Sequence, residues 1–370
     1  MIFTYSEFRR AQNWLNYHQN KKATFACILG FTETSLIPGI SAAGATPNDR
    51  EFTAIADGEF LIDGAKALPK NPLPCLTKGI SPVFITRAVV ESCGLPTYLF
   101  DAGLIHRPLV QAINLGGMPA KCLSSGNALD YQVVKHLFEE GMKWGKKLSL
   151  LADYLIIGEC VVGGTTTALA VLSGLGINAM GMVNSSHPCC NHQQKSAIVS
   201  QGLQNSGLNG CCTNDPFAVV AAVGDPMQIV AAGMAISASD QGGVLLAGGT
   251  QMLAVYALIK KIVALGNFSC DYEKILVGTT RWVAEDKTGD TVKLAHKIGG
   301  VPLLATGLNF STSKYPGFRV YESGYVKEGV GAGGCSIHAH LAKKKKSIEL
   351  LNTIETLFSK FRDLRFNSIL

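Results

Sequence analysis

Charged residues are scarce in this chain, and their placement argues against two kinds of partner. Asp, Glu, Lys and Arg make up only 16% of the 370 residues. No segment mixes many basic and aromatic side chains, and much of the net charge of +6 lies in lysine clusters such as 343–346, so we expect no nucleic-acid partner. The range 160–194 lacks these four residue types, but its glycines, threonines, asparagines and Pro188 are too polar for a lipid-exposed helix. We therefore expect no membrane partner.

A signal for export is also missing from the first residues. Glu7, Arg9 and Arg10 precede a mixed segment, whereas a signal peptide has a basic head and an apolar core. Without such a signal, the 11 cysteines are interpreted as reduced thiols, and we expect the protein in the cytoplasm.

Two pairs of adjacent cysteines bear on metal binding. Cys189–Cys190 and Cys211–Cys212, together with His187 and His192, suggest a zinc site at first sight. Ordinary zinc knuckles separate their paired cysteines by two residues, and adjacent cysteines do not reproduce that spacing. We therefore expect free thiols and no metal.

Glycine and short apolar runs are abundant, with 40 glycines and 47% hydrophobic residues, which is typical of α/β enzymes. Apolar segments bounded by glycine predict strands at 25–30, 97–101, 153–158, 243–247, 274–278 and 302–306. The intervening segments predict helices at 81–93, 130–147, 216–223, 227–238 and 250–265. This alternation predicts a doubly wound, mostly parallel sheet with helices on both faces. Ligands of such sheets bind beyond the carboxyl ends of the strands.

The two ends of the chain have a different pattern from the middle. Residues 4–18 and 347–364 carry apolar residues at helical spacing. We therefore expect an α/β nucleotide-binding catalytic domain over 20–340. The terminal helices, in 1–19 and 341–370, are expected to form a small helical subdomain or a dimer surface.

The most informative segment is 154–170. A predicted strand is followed by paired glycines, Gly163 and Gly164, by Thr165–Thr166–Thr167, and then by a helical segment. The unpaired N–H groups and the dipole at the start of a helix favour an anion, usually a phosphate. A threonine N-cap without a ligand is the alternative. Three consecutive threonines are more than a cap needs, so we favour phosphate binding.

A single carboxylate, Glu328, precedes a run of small residues near the C-terminus. Gly329, Gly331 and Gly334 follow it, and such residues let a ligand approach closely, as a general base requires. A glutamate at a surface turn is the alternative. The glycines also fit G-x-G-x-x-G. A dinucleotide fingerprint needs a βαβ unit and a later acidic residue on a second strand, whereas the 36 residues after Gly334 include a lysine run and are predicted to continue as one helix. We therefore expect no cofactor.

Two further side chains are candidates with ordinary alternatives. Lys195 opens a predicted helix, where it could reach a phosphate as a point charge or be an exposed surface lysine. Asp101 ends a predicted strand, where it could bind a substrate hydroxyl or cap the next turn.

Taken together, these motifs resemble the nicotinate-nucleotide–dimethylbenzimidazole phosphoribosyltransferase family of cobalamin synthesis, and most closely a divergent branch of it. Residues 158–168 are similar to the family's G-E-x-x-x-G-N-T-T loop, with Gly164 in place of the usual Asn. Residues 195–199 correspond to a helix that the family opens with a phosphate-contacting lysine. Residues 327–332 resemble the family's G-E-G-T-G-A, whose glutamate is the catalytic base.

The resemblance implies a pentosyltransferase that moves phosphoribose from nicotinate mononucleotide to a benzimidazole- or purine-type base. The products would be nicotinate and an α-ribotide for the cobamide lower ligand. Glu328 would be the catalytic base, and Glu159 a second carboxylate that orients the ribose or the base. The nucleotide would be bound by Gly163 to Thr167, Lys195, Gly329 and Gly331.

Departures from the family pattern leave the acceptor open. Gly248–Gly249–Thr250 occupies the place of the family's Asp-Gly pair, and we expect these residues and Asp101 to contact the base or ribose. Residues 310–325 form an extra stretch, and the first ninety residues align poorly with the family's aromatic-base pocket. A non-catalytic nucleotide-binding regulator is therefore an alternative, and a dinucleotide-dependent oxidoreductase a weaker one. The resemblance and the terminal helices also imply a homodimer.

Overall fold

The computed structural model describes residues 1–66, 68–74, 76, 78–208 and 214–367. The strands are β1 (Ile2–Thr4), β2 (Ala23–Leu29), β3 (Thr97–Asp101), β4 (Ile113–Asn114), β5 (Tyr154–Cys160), β6 (Gly243–Ala247), β7 (Ile275–Thr280) and β8 (Leu303–Thr306). They form one sheet in the order β1-β8-β7-β6-β5-β2-β3-β4. Neighbouring strands are parallel except β1 and β8, which are antiparallel.

The α-helices lie between and after the strands, and none in the described ranges is long and apolar enough to cross a membrane. They are α1 (Phe8–His18), α2 (Pro47–Asp63), α3 (Val83–Cys93), α4 (Tyr131–Ser149), α5 (Gly164–Gly174), α6 (His192–Asn205), α7 (Pro216–Val223), α8 (Pro226–Ser239), α9 (Thr250–Val263), α10 (Arg281–Ala284), α11 (Thr291–Ile298), α12 (Pro316–Arg319), α13 (Ala332–Lys343) and α14 (Ser347–Asn367).

The doubly wound α/β architecture predicted from the sequence is confirmed, together with all six predicted strands. Every residue of the central strand β2 is buried, because helices cover both faces of the sheet. That burial explains why the strands have continuous apolar runs instead of alternating patterns. The two edge strands β1 and β4 were not predicted, since segments of three and two residues are too short to show a period.

Helices on the two faces of the sheet form two separate apolar cores. Leu155 and Ile157 of β5 pack with α4, α5, α7, α8 and α9, whereas Ile156 packs with α2, α3, α13 and α14. Successive side chains of a strand point to opposite faces, which produces this division. The sheet therefore separates the helix opened by the threonines from the helix that follows Glu328.

The terminal helices pack on the core that contains α2 and α3. Trp14 of α1 is buried there and donates its indole N–H to the Lys274 carbonyl at 2.9 Å. Leu350 and Ile354 of α14 are fully buried in the same core. The terminal segments thus share an apolar core with the sheet, and residues 368–370 lie outside the described residues. The domain boundaries at 20 and 340 and a dimer surface on these helices stay predictions.

Candidate active site

A cavity lies at the carboxyl edge of the sheet, and loops that follow the strands line it. It encloses about 1120 Å³ of empty space, a figure that includes its open mouth. Its lining includes residues 40–43 after β2, 159–165 after β5, 184–186, 249–251 after β6, and 326–330 before α13. Parallel topology brings these distant segments together, as the sequence predicted.

The loop between β5 and α5 presents a helix N-terminus to this cavity. Gly163 adopts a left-handed conformation with φ of 83° and is the N-cap of α5. Gly163, Gly164 and Thr165 line the cavity. A Cβ on Gly164 would lie 2.4 Å from the Gln251 side chain, so this close approach requires glycine. The N–H groups of Gly164 and Thr166 donate to the Val161 and Gly163 carbonyls at 3.1 and 2.8 Å. The Thr165 N–H and the positive dipole end of α5 are therefore what this part of the cavity offers to an anion.

The other two threonines are not among the residues that line the cavity. Thr166 and Thr167 are fully buried, and the Thr167 hydroxyl donates to Asp225 at 2.6 Å and to the Gly164 carbonyl at 3.0 Å. A helix turns by about 100° per residue, so three successive side chains cannot share one face. The expected phosphate contacts of Thr166 and Thr167 are therefore corrected, and Thr165 is the threonine placed at the cavity.

Lys195 lies behind this loop. It is fully buried, and its ammonium group donates to the Thr165 hydroxyl at 2.8 Å and to the Asn184 carbonyl. Burial lowers the pKa of Lys195 to about 8. Of the ion pairs formed by described residues, none includes Lys195. Its charge therefore reaches the cavity through Thr165 and is available to an anion there.

The Glu328 carboxylate lines the cavity at the N-terminus of α13. One oxygen accepts the N–H groups of Gly329 and Gly333 at 3.2 and 3.0 Å. The other accepts the Thr279 hydroxyl at 3.0 Å and the Thr280 N–H at 2.9 Å. Burial raises the pKa of Glu328 to about 6, although these four hydrogen bonds act to lower it. The Glu328 carboxyl group is thus mostly ionised at neutral pH and becomes protonated when the pH falls to about 6.

The segment that carries Glu328 is conformationally strained. Val326, Lys327 and Val330 have φ of 67°, 71° and 52°, a region that residues with side chains seldom occupy. The ammonium of Lys327, a buried residue that lines the cavity, pairs with Asp286 at 2.5 Å and donates to the His187 carbonyl at 3.0 Å. The buried ion pair fastens the segment against the loop between α10 and α11, and the hydrogen bond to His187 fastens it against the loop before α6.

Glu159 is the second carboxylate of the cavity, and its backbone is joined to the Glu328 segment. The Glu159 carbonyl accepts the Val330 N–H at 3.0 Å, and its side chain accepts the Val161 N–H at 2.9 Å. Burial, reinforced by the charge of Asp225, raises the pKa of Glu159 to about 8. Two neighbouring carboxyl groups therefore differ in protonation at neutral pH, with Glu159 mostly neutral and Glu328 mostly ionised.

The glycines after Glu328 serve two purposes. Gly329 lines the cavity. A Cβ on Gly331 would lie 3.0 Å from the Phe25 ring, and one on Gly334 would lie 2.4 Å from the Cβ of Ala247. Gly331 and Gly334 therefore allow α13 to pack closely on the sheet. Gly331 is not among the residues that line the cavity, and its expected nucleotide contact stays a prediction.

The segment after β6 contributes Gly249 and Thr250 to the cavity, whereas Gly248 is not among its lining residues. The N–H of Gly248 donates to the Gly278 carbonyl at 2.9 Å, which continues the sheet pairing. Thr250 exchanges hydrogen bonds with Asn184, donating its hydroxyl at 3.2 Å and accepting the Asn184 N–H at 3.1 Å. The place of the expected Asp-Gly pair is thus occupied by a neutral threonine–asparagine contact.

Asp101 caps a turn and does not line the cavity. One of its oxygens accepts the N–H groups of Gly103 and Leu104 at 3.0 and 2.9 Å. The contact with base or ribose expected for Asp101 is corrected, because its side chain is committed to the backbone after β3. This capping role was the alternative drawn from the sequence.

The cavity also contains a carboxylate that the sequence did not indicate. Asp57 of α2 is buried with 4% exposure and lines the cavity with Ser81. The sequence around Asp57 has no motif, and only the packing of α2 on the sheet places it here. Lys327 and Asn184 were likewise missed: Lys327 occupies the first position of the 327–332 segment, where the family motif has glycine, and Asn184 belongs to no recognisable pattern.

Metal ligands are not clustered in the described residues, where no group of three or more His, Cys, Asp or Glu side chains could hold a metal ion. Cys189 is exposed and Cys190 partly buried, and both are free thiols. Cys211 and Cys212 lie outside the described residues.

The α/β fold of this chain is also that of a phosphoribosyltransferase of known structure. Residues 86–265 match a family model described as phosphoribosyltransferase. The crystal structure of a nicotinate-nucleotide–dimethylbenzimidazole phosphoribosyltransferase from Thermus thermophilus has a similar fold, with a TM-score of 0.59 and 14% identity, covering 91% of this chain and 84% of that one. The resemblance that the sequence motifs indicated is thereby confirmed.

Full-length relatives place the chain more narrowly. It is 60% identical to a UPF0284 protein of Microcystis aeruginosa over 96% of this chain and 98% of that protein. It is 61% identical to a UPF0284 protein of Rippkaea orientalis over 98% of this chain and 100% of that protein. The chain belongs to the UPF0284 family.

Proposed function

We propose that this protein transfers phosphoribose from nicotinate mononucleotide to a heteroaromatic base of the benzimidazole or purine type. The products are free nicotinate and an α-ribotide suited to be the lower ligand of a cobamide. The observation that carries this proposal is the meeting, in one cavity, of the α5 N-terminus with two carboxyl groups, Glu159 and Glu328.

The phosphate of the nucleotide binds at Gly163, Gly164 and Thr165, where it meets the Thr165 N–H and the positive dipole end of α5. Lys195 adds a positive charge through the Thr165 hydroxyl, to which it donates at 2.8 Å. Because Lys195 has no carboxylate partner among the described ion pairs, a phosphate would supply the missing negative charge.

In the reaction, the bond between ribose C1′ and the nicotinate nitrogen breaks, and its electron pair leaves with nicotinate as a neutral pyridine ring. A nitrogen of the incoming base forms the new bond to C1′ from the opposite face, so the configuration at C1′ inverts. Glu328 takes the N–H proton that the base must lose, and its charge favours the cationic sugar in the transition state. Thr279 can rotate its hydroxyl away from Glu328 to free an acceptor position for that proton.

Glu159 acts in its neutral form. With a pKa of about 8 it carries a proton at neutral pH and can donate a hydrogen bond to the ribose or to the base. The same neutrality avoids a second negative charge beside Glu328, which would raise the pKa of the catalytic base further.

Incubation of the protein with nicotinate mononucleotide and a panel of benzimidazoles and purines tests the proposal. We expect nicotinate release that requires an added base, and a product whose proton spectrum identifies the α anomer at C1′. Absence of nicotinate release with every base would refute it. We also expect a homodimer in solution, which sedimentation equilibrium would detect.

A nucleotide-binding regulator without turnover is the second candidate, and Gly248–Gly249–Thr250 in place of the family's Asp-Gly pair favours it. Calorimetry separates the two. Tight binding of nicotinate mononucleotide with no product over long incubation would support the regulator over the enzyme.

A further inference from the structure

Asp57 has an unusual environment for a carboxylate in a cavity wall. Its side chain is buried, one oxygen accepts the Ser81 hydroxyl at 2.7 Å, and the other has a thiol contact from Cys160 at 3.6 Å. Among the described residues no cation pairs with it. A carboxylate offers about four acceptor positions. Two are used here, one of them by a weak donor, so Asp57 retains capacity to accept from a ligand.

The position of Asp57 in the fold separates it from the phosphate end of the cavity. Asp57 belongs to α2, which packs on the same face of the sheet as α3 and α13, whereas α5 packs on the opposite face. Glu159 and Glu328 lie where strands β5 and β7 reach the carboxyl edge between these two faces. The cavity therefore extends from the α5 N-terminus past the two glutamates to Asp57.

The surroundings of Asp57 suit a flat ring with a polar edge. Ile40, Pro74 and Pro82 supply apolar walls to the same cavity. The Ser81 hydroxyl gives its proton to Asp57, so that toward a ligand both groups act as acceptors. An apolar ring edge placed here would leave a buried charge without a partner, which is unfavourable.

We infer that this end of the cavity holds the acceptor base and that Asp57 selects bases that carry an amino or hydroxyl group on the edge remote from the attacking nitrogen. A donor on that edge forms a charge-assisted hydrogen bond with the Asp57 carboxylate. A base with methyl groups on that edge, such as 5,6-dimethylbenzimidazole, is disfavoured. The turnover assay of this inference rests on the proposed function, whereas its binding assay does not.

The ionisation of Asp57 agrees with this role. Burial raises the pKa of Asp57 to about 6, while the hydrogen bonds from Ser81 and Cys160 act to lower it. The carboxylate is therefore mostly charged above pH 7, and a neutral amino or hydroxyl group on the ligand is a complementary partner.

Two bases of nearly equal shape test the inference, 5-hydroxybenzimidazole and 5-methylbenzimidazole. With the unaltered protein we expect kcat/KM for the hydroxyl base to exceed that for the methyl base by about tenfold or more, since a site with a buried polar group discriminates against a ligand lacking its partner. Asp57→Leu should reverse the preference, and Asp57→Asn, which keeps an acceptor, should weaken it. Glu59→Gln is the matched control, because Glu59 lies on the same helix but does not line the cavity.

Calorimetry with the same two bases, in the presence of nicotinate mononucleotide, distinguishes failure of the inference from failure of the proposed function. Tighter binding of the hydroxyl base that depends on Asp57 supports the inference even if no turnover occurs, in which case the proposed function alone fails. Turnover or binding of both bases within twofold of each other, or a preference that survives in both Asp57 variants, would overturn the inference.

Discussion

Replacing Glu328 by glutamine tests the proposed chemistry with the smallest change of shape. The amide nitrogen can neither take a proton nor accept a hydrogen bond. If it lies toward Gly329 and Gly333, both of their N–H groups lose an acceptor. If it lies toward Thr279 and Thr280, only the Thr280 N–H loses its acceptor, because the Thr279 hydroxyl can rotate and accept a hydrogen bond from the amide. The second orientation is therefore favoured.

The substitution should change the free energy of unfolding much less than it changes the reaction rate. One buried N–H group without an acceptor lowers the free energy of unfolding by about 1–3 kcal/mol, which a large α/β domain tolerates. Loss of a general base lowers the rate by about 10²–10⁴-fold, which corresponds to roughly 3–5 kcal/mol in the barrier. We therefore expect Glu328→Gln to remain folded and to lose almost all nicotinate release.

Three measurements on the same preparation separate these effects. Urea unfolding reports the stability change, calorimetry reports nicotinate mononucleotide affinity, and nicotinate release at saturating base reports the rate. Glu59→Gln is again the control, because it neutralises a carboxylate of α2 that accepts the Asn71 amide and the Leu109 N–H outside the cavity. A folded Glu328→Gln protein with a rate within about tenfold of the unaltered one would refute the role of Glu328 as the base.

Three other predictions follow from the same cavity. At saturating nicotinate mononucleotide, where the bound phosphate keeps Lys195 charged, kcat should depend on pH as a bell, falling below about pH 6 as Glu328 is protonated and above about pH 8 as Glu159 loses its proton. Glu159→Gln, which keeps a donor, should remove the alkaline limb, and a limb that persists would contradict its assignment to Glu159. Thr165→Val should weaken nicotinate mononucleotide binding by about tenfold, as measured by calorimetry. Thr166→Val should leave the affinity unchanged, because the buried Thr166 hydroxyl has no hydrogen-bond partner among the described residues. Equal effects of the two substitutions would contradict the placement of the loop. Asp286→Asn should lower the free energy of unfolding by about 3–5 kcal/mol, because it leaves the Lys327 charge buried and unpaired. No change in denaturant unfolding would contradict a stabilising role for this ion pair.

The sequence predicted those parts of the fold in which local chemistry decides the outcome. Glycine-bounded apolar runs located all six long strands, because a parallel strand buried on both faces must be apolar throughout. The paired glycines after β5 located the helix N-terminus at the cavity, since the turn at Gly163 needs a positive φ. That Glu159 and Glu328 would belong to one site was implied by the resemblance to the family.

Features that depend on rotation of a helix or on distant packing could not be predicted. Thr165, Thr166 and Thr167 look alike in sequence, and only the register of α5 decides that Thr165 is the one at the cavity. Asp57 reaches the cavity only because α2 packs on the sheet near β5, about a hundred residues further along the chain. The Lys327–Asp286 ion pair joins two loops that share no sequence signal.

The resemblance to known phosphoribosyltransferases explains part of this pattern. The matched range 86–265 contains the loop between β5 and α5, whereas α2 and the segment with Glu328 lie outside it.

A crystal structure of the protein with nicotinate mononucleotide tests the central claim most directly. We expect the phosphate within hydrogen-bond distance of the N–H groups that follow Gly163, and ribose C1′ facing the Glu328 carboxylate. A phosphate bound elsewhere in the cavity, or a C1′ turned away from Glu328, would contradict the account.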